Sequence, residues 1–382
     1  MSLTNSDIAE LTAFRHLLHR HPEVSGEERE TARRIRTALS DLATDNVITN
    51  LGGQGIAATF NGVAPGPTIL FRCELDALPT HEVRDSPYRS SIDGKGHLCG
   101  HDGHMTILTG LARRLARQRP ASGRVILLFQ PAEETGAGAA AVIADPDFAG
   151  ITPDYAFSLH NEPGLTLGHV ALKSGPVCCA SRGLEIIFAG TPAHASQPET
   201  GTSPMPALAK VMPALSALSQ GGTKDPDFSL VTVTHATMGE PAFGIAPGEA
   251  TIYATLRTLT DDHMDALVSS ALSLVEQAAT QHHLTVSHRF HDIFHHCEND
   301  LDATRIIATA LDTLGIPQTE TGLPWRPSED FGRFGQTAKS AMLFLGAGLD
   351  TPPLHNPNYD FPDDLIPIGT RIFEQIARDL LG

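Results

Sequence analysis

The chain has 382 residues, 41% hydrophobic and 19% charged, the balance of a globular protein long enough for two domains. Its net charge of −17 argues against nucleic acid or an anionic membrane as partner, because both require clustered Lys and Arg. Its five cysteines (Cys73, Cys99, Cys178, Cys179 and Cys297) are odd in number and form no Cys-x-x-Cys pair, which argues against a disulfide framework and for a reducing compartment.

The N-terminus is polar, without the basic and apolar regions of a secretory signal, and no apolar run approaches the roughly eighteen residues of a membrane span. The expected location is the cytoplasm. Apolar periodicity predicts helices over 7–20 and 27–42. Thr68–Leu75 reads as a strand that ends at Asp76-Ala77-Leu78-Pro79. A polar loop follows, then a helix over 103–118 for which Asp102 is the candidate N-cap. Val125–Phe129 is a continuous apolar run, fit for a strand buried on both faces, and it leads into Glu133-Glu134. Tyr155–Leu159 is a further short strand ending at His160. Strands alternating with helices indicate an α/β layer with a largely parallel component.

The texture changes near residue 180. Strand-like runs at 184–188, 230–234 and 251–257 are separated by helical stretches at 203–219 and 261–280, an order that suits a ferredoxin-like insert. The α/β texture resumes near 294, with a helix over 301–314, a strand over 341–345 and a last helix after Pro367.

Nine residues, Gly96 to His104, hold three histidines, a cysteine and an aspartate among small residues. Cys and His are the donors that zinc, manganese or cobalt sites use, although a polar loop with solvated histidines gives the same pattern. Asp76, Glu133-Glu134, His160 and His355 each stand just beyond a strand-like run, where α/β sheets gather their ligands. At a turn, one carboxylate of the glutamate pair can hold a cation while the other takes the proton of a water acidified by it. Two acids are equally welcome at a helix N-terminus.

Seven segments fall in one order and spacing: Asp76–Pro79, His97–His104, Gln130–Glu134, Leu159-His160, Ala193–Ser196, Ser328–Phe331 and Leu354–Phe361. Together they resemble the M20 metallopeptidase family over essentially the whole chain. The branch is that of amidohydrolases cleaving N-acyl amino acids, such as hippurate, indole-acetyl-amino-acid and N-acetyl-diaminopimelate hydrolases. The resemblance implies an α/β, two-domain, mixed-sheet metallohydrolase. Residues 1–180 and 294–382 would form the catalytic domain, and 181–293 an inserted ferredoxin-like α+β domain acting as lid and dimer contact. It implies two divalent ions per chain (Mn, Zn, Co or Ni) held by Cys99, His101, Glu134, His160 and His355, with Cys99 able to bridge them. It also implies Glu133 as general base, His194 of the insert as oxyanion donor, and Asp76 and Asp102 as groups that orient ligands or base from behind. Arg257 is a candidate for the substrate carboxylate by bidentate pairing. His97 and His104 read as structural neighbours of the ligands, and His282-His283 and His295-His296 as solvated.

The chain departs from the family pattern at Cys73-Glu74-Leu75, at Thr135 and Ala137, and at Gln197-Pro198-Glu199. It also carries Gly244 where relatives often have a substrate-binding Asn, which suggests an altered acyl or amino-acid preference. The expected function is metal-dependent hydrolysis of a small N-acyl amino acid or related amide, by a homodimer joined through the insert. The alternatives are a dipeptidase or aminopeptidase of the same fold, for which no acidic partner of a free α-amine stands out, and a metal-binding protein without catalysis, which would need neither Glu133 nor His194.

Overall fold

Helix α1 (Asn5–Arg20) starts at a reciprocal cap, in which the Asp7 amide donates to Thr4 Oγ1 at 3.1 Å and the Thr4 amide to the Asp7 carboxylate at 2.8 Å. Helix α2 (Arg29–Leu39) is shorter than the expected 27–42. Glu28, just before it, turns its carboxylate to the amides of Gly26 and Ala132 and gives the helix no side-chain cap. The computed structural model describes residues 3–382.

Strands β1 (Asn46–Leu51), β2 (Gly55–Asn61) and β3 (Ala64–Glu74) lead to α3 (His101–Arg117). Then come β4 (Ser122–Gln130), the short α4 (Gly138–Ala144), β5 (Tyr155–Pro163), β6 (Val170–Ala171) and β7 (Gly175–Cys178). Here the chain enters a second compact unit, Cys178–His296 together with Pro324–Ser328. That unit contains β8 (Ala180–Ala189), β9 (Ala193–His194), α5 (Met205–Ser216), β10 (Ser229–Met238), β11 (Ile245–Ala246), β12 (Glu249–Thr258), α6 (Asp261–Gln281) and β13 (Thr285–Phe294). The first unit resumes with β14 (Cys297–Asn299), α7 (Leu301–Leu314), β15 (Gln318–Thr319), β16 (Lys339–Gly348) and α8 (Leu365–Leu381).

The first unit is built on an eight-stranded mixed sheet in the order β1-β2-β4-β3-β5-β16-β6-β15. The central pairs β4/β3, β3/β5 and β5/β16 are parallel. Val125–Phe129 is buried throughout, as its unbroken apolar run requires. Helix α3 is buried on every side from His101 to Ala112, because α1 and α8 pack on it. The parallel strands β3, β4 and β5 run in the same direction, so the residues that follow Glu74, Gln130 and Leu159 emerge at one end of the sheet.

The second unit is a four-stranded antiparallel sheet in the order β10-β12-β8-β13, with α5 and α6 packed on a core that includes Ile186, Phe188, Val211, Ile252, Leu256 and Val275. The βαββαβ order with this strand arrangement is ferredoxin-like. Pro324–Ser328 joins it through a bridge between Cys178 and Trp325 and a hydrogen bond from the Cys179 amide to the Pro327 carbonyl at 3.3 Å.

One expectation about a helix start fails. Gly100, not Asp102, stands at the N-cap of α3, with φ of 92°. Asp102 lies inside the first turn, and its carboxylate accepts from Arg15 Nη1 at 3.0 Å and pairs with His19 Nδ1 at 2.9 Å. A buried charge partner outcompetes local capping.

Candidate metal centre

The site forms where the loops after β3 and β4 meet the start of α3 and His160, which lies within β5 because that strand runs on to Pro163 beside β16 instead of ending at Leu159. The His101 ring donates from Nδ1 to the Asp76 carbonyl at 2.9 Å, which leaves its Nε2 lone pair to face the opposite way. The His160 ring is held in the same sense, Nδ1 donating to the Asn161 carbonyl at 2.8 Å, with Nε2 3.5 Å from the Cys99 sulfur. His101 Nε2 lies 3.9 Å from carboxylate oxygens of both Glu133 and Glu134. His355 Nε2 lies 3.7 Å from the other Glu134 oxygen.

The backbone is bent to achieve this. Ala132, just before Glu133, has φ of 52°, and His355 has φ of 65°. Such left-handed non-glycine residues are costly and gather at functional sites. The His355 amide is anchored to the Leu98 carbonyl at 2.8 Å, and the Ala132 amide to Glu28 at 2.8 Å.

Three of the five donor groups among the described residues, each with its atoms within 4.8 Å of one another, consist of proposed ligands and Glu133: Cys99, His101 and His160; Cys99, Glu134 and His355; and His101, Glu133 and Glu134; a fourth joins His101 to Glu74 and His104. The first two share Cys99. His101 Nε2, Asp76 Oδ1 and Glu134 Oε1 are buried without a hydrogen-bond partner. Orphaned polar atoms are expensive; His101 Nε2 and Glu134 Oε1, 3.9 Å apart, fit cations as their missing partners, whereas Asp76 Oδ1 lies on the Nδ1 side of His101, 3.6 Å from that nitrogen. Soft thiolate, imidazole and carboxylate together suit first-row divalent metals.

The charges of the site are strongly coupled. Burial drives Glu133 well above the usual carboxylate range, aided by Glu329, Glu134 and Asp330 and opposed by Arg72. Burial also raises Glu134, to about 7, with His101 pulling the other way. Burial disfavours the charge on His101, but hydrogen bonding to Asp76 and the charges of Glu74, Glu134 and Asp76 outweigh it and raise the ring to about 10. The Cys99 thiol is pushed well up by burial and then by Glu134 and Glu133. Bound divalent cations would oppose each of these shifts with their own charge.

Asp76 accepts from the Ser25 hydroxyl at 2.7 Å and the Glu134 amide at 3.0 Å, so it fixes both His101 and the glutamate turn. Asp102 contacts Arg15 and His19 instead of a ligand. His104 bridges Glu74 at 2.6 Å and the Asn161 side chain at 2.8 Å. The sequence reading had given no part to Arg72, Glu329 or Asp330. Arg72 is fully buried and ion-paired with Glu74, Glu329 at 2.9 Å and Asp330 at 2.5 Å, and these last two acids form a further group with Glu133. In the sequence, Glu329 and Asp330 are marked only by the Ser328–Phe331 segment of the resemblance, and Arg72 only by its place in the Thr68–Leu75 strand.

In the second unit, His194 is exposed on β9, paired across the ribbon with Ile245. The Ser196 amide donates to His194 Nδ1 at 3.1 Å, and Ser196 Oγ lies 2.7 Å from the same atom. With Nδ1 accepting, the neutral ring carries its proton on Nε2. Arg257 donates to Ser328 Oγ at 2.9 Å and to the Arg326 carbonyl at 3.3 Å, and no carboxylate pairs with it among the described residues. His295 and His296, read as solvated, are half-buried against Asp261, at 2.7 and 3.1 Å.

Residues 70–379 match the model of Peptidase family M20/M25/M40. The chain belongs to this family. Among M20 relatives, it is 30% identical over 373 residues to an N-acetyl-L-cysteine deacetylase of Bacillus subtilis (strain 168), covering 97% of this chain and 88% of that protein. It is 30% identical to a hippurate hydrolase of Campylobacter jejuni, covering 97% of each chain. The crystal structure of the YXEP protein of Bacillus subtilis, described as a dinuclear metal-binding M20 peptidase, superposes with a TM-score of 0.82 at 25% identity over 99% of each chain.

Proposed function

We propose that this M20 protein hydrolyses the amide bond of a small N-acyl amino acid, with Cys99, His101, Glu134, His160 and His355 holding two divalent cations and Glu133 acting as general base. Overlapping donor groups that share Cys99, His101 and Glu134, with Glu133 beside the last two and with orphaned polar atoms on His101 and Glu134, carry the assignment. Bound cations would polarise the amide carbonyl and acidify water. Glu133 takes a proton from the attacking water on its carboxylate and delivers it to the leaving nitrogen. Asp76 keeps His101 and the Glu134 turn in place while this happens. His194 offers a neutral Nε2–H suited to an oxyanion, and Arg257 offers a guanidinium without a carboxylate partner, suited to a substrate carboxylate.

A non-catalytic metal protein has no use for a further carboxylate beside its five ligands, yet Glu133 lies 3.9 Å from His101. The ions belong to the set Mn, Zn, Co and Ni. The protein acts as a homodimer through the inserted unit, as the resemblance implies, and light scattering tests this. A cytoplasmic location accords with five buried free cysteines. No helix of the described residues is long and apolar enough to cross a membrane.

The decisive experiment measures amine release from N-acetyl, N-benzoyl and indole-acetyl amino acids by metal-reconstituted protein, with a chelated control. Chelator-sensitive turnover of one compound establishes the reaction. Silence across the panel with two ions bound per chain would overturn the substrate class and turn attention to dipeptides.

A further inference from the structure

Away from the glutamates and histidines, the first unit has a second feature of concentrated charge. A cleft of about 240 Å³ opens between α2 and the β1–β2 hairpin. Arg29, Arg33 and Arg36 line it from the helix, and Thr49, Asn50 and Gln54 from the hairpin. Its apolar lining is Ala32 and Ile56.

The three arginines stand four and three residues apart, the spacing that places side chains on one helix face. Like charges so placed repel, and one acid in the cleft relieves them only in part: Arg33 Nε donates to Glu30 at 2.7 Å. Arg29 and Arg36 have no ion pair or side-chain hydrogen bond among the described residues. In a chain of net charge −17, acids were plentiful, yet these two cations are left without one.

A solvated helix face would account for exposed arginines that stand clear of other elements. These do not stand clear. The hairpin turn, with Asn50 at φ of 61°, forms the facing wall of an open cleft. Guanidinium forks match phosphate oxygens in pairs, and hydroxyl and amide side chains supply neutral donors beside them. The volume lies below the roughly 300 Å³ at which pockets for drug-sized ligands begin, and it suits a small compact anion.

We propose that this cleft binds a small phosphorylated anion, of the phosphomonoester or pyrophosphate class, at a site separate from the hydrolytic centre. The test is titration calorimetry with pyrophosphate at fixed ionic strength on the full chain. The metal-loaded and the metal-stripped proteins are both titrated, because phosphate groups also bind divalent cations. The comparison variant is Arg29→Ala combined with Arg36→Ala. Both positions are exposed, and alanine favours the helix, so circular dichroism and amine release should match the parent.

The expected result is one pyrophosphate per chain in both metal states, weakened at least tenfold in the double variant. Binding that survives the double substitution unchanged overturns the proposal, as does the absence of binding. Binding that disappears with the metal assigns the anion to the hydrolytic centre and equally overturns it. Succinate that displaces pyrophosphate at equal concentration would reduce the cleft to a general anion surface, against the phosphate class.

Discussion

Glu133 is unusual less for its position than for its company. Glu329 and Asp330 lie within 4.8 Å of it, and the single buried cation among these acids, Arg72, is shared with Glu74. Replacing Glu133 by Gln keeps the shape and removes the proton acceptor. For Glu133→Gln we expect kcat for amide hydrolysis to fall by roughly 10²–10⁴-fold, the usual worth of a general base. Metal content by elemental analysis should stay at the parent value, because the five proposed ligands are untouched. Loss of the metals along with activity would make Glu133 a ligand. A second residue-scale consequence concerns His19, fully buried between Asp102 at 2.9 Å and Glu82 at 3.3 Å. Burial alone would lower its pKa, but Asp102 and Glu82 outweigh burial and the opposing Arg15 and raise it to about 9. A pKa raised in the folded state stabilises fully below the unfolded value of about 6.5, and the gain is lost as pH rises through the folded value. The parent should therefore lose stability between about pH 6.5 and 9, by on the order of 3 kcal/mol, while His19→Gln shows a flatter profile. Thermal melts of both proteins with saturating metal check this, and parallel profiles would remove His19 from the account.

At the scale of elements, the sequence reveals whatever is local. The apolar run of β4, the alternation in β12 and the periodicity of α6 announced themselves, and the observed α6, Asp261–Gln281, differs from the expected helix by one residue. The composition of the Gly96–His104 loop draws attention to Cys99 and His101, and position near the ends of apolar runs to Glu133, Glu134, His160 and His355; the fold brings these side chains into overlapping donor groups. What escaped depends on distant partners. Asp102 looked like a cap because nothing nearby hints at Arg15, 87 positions away, and the link from Arg72 to Asp330 spans 258 positions. Pro324–Ser328 carries no compositional mark of packing with the second unit. The glycines of the metal loop are intermediate in this respect: their presence was visible but not their reason. A Cβ on Gly100 would come 1.9 Å from the Asn161 side chain, at a φ of 92° that L-residues avoid. Asn161 in turn holds His104. Gly100→Ala should therefore destabilise the protein by about 1–3 kcal/mol and weaken metal binding as the start of α3 shifts. Chemical unfolding and metal titration measure the two effects. Unchanged affinity with lowered stability would separate the helix start from the site.

At the scale of the whole molecule, the chain folds as two compact units, and the proposed ligands all belong to the first. The only tryptophan, Trp325, belongs to the second. This division gives each unit its own reporter, since far-ultraviolet circular dichroism is weighted toward the larger, helix-rich first unit while tryptophan emission follows the second. A cation that binds only folded protein stabilises it by about 2.7 kcal/mol at a hundred times its dissociation constant. Converted at roughly 2–4 °C per kcal/mol for a domain of this size, chelation should lower the circular-dichroism midpoint by about 5–10 °C. The tryptophan midpoint should move by less, because no proposed ligand lies in the second unit. Equal shifts of the two midpoints would mean that the units unfold as one cooperative block. If the ions leave and neither midpoint moves, then His101 and Glu134 do not need cations to offset their buried, unpartnered atoms, and the metal assignment loses its physical footing.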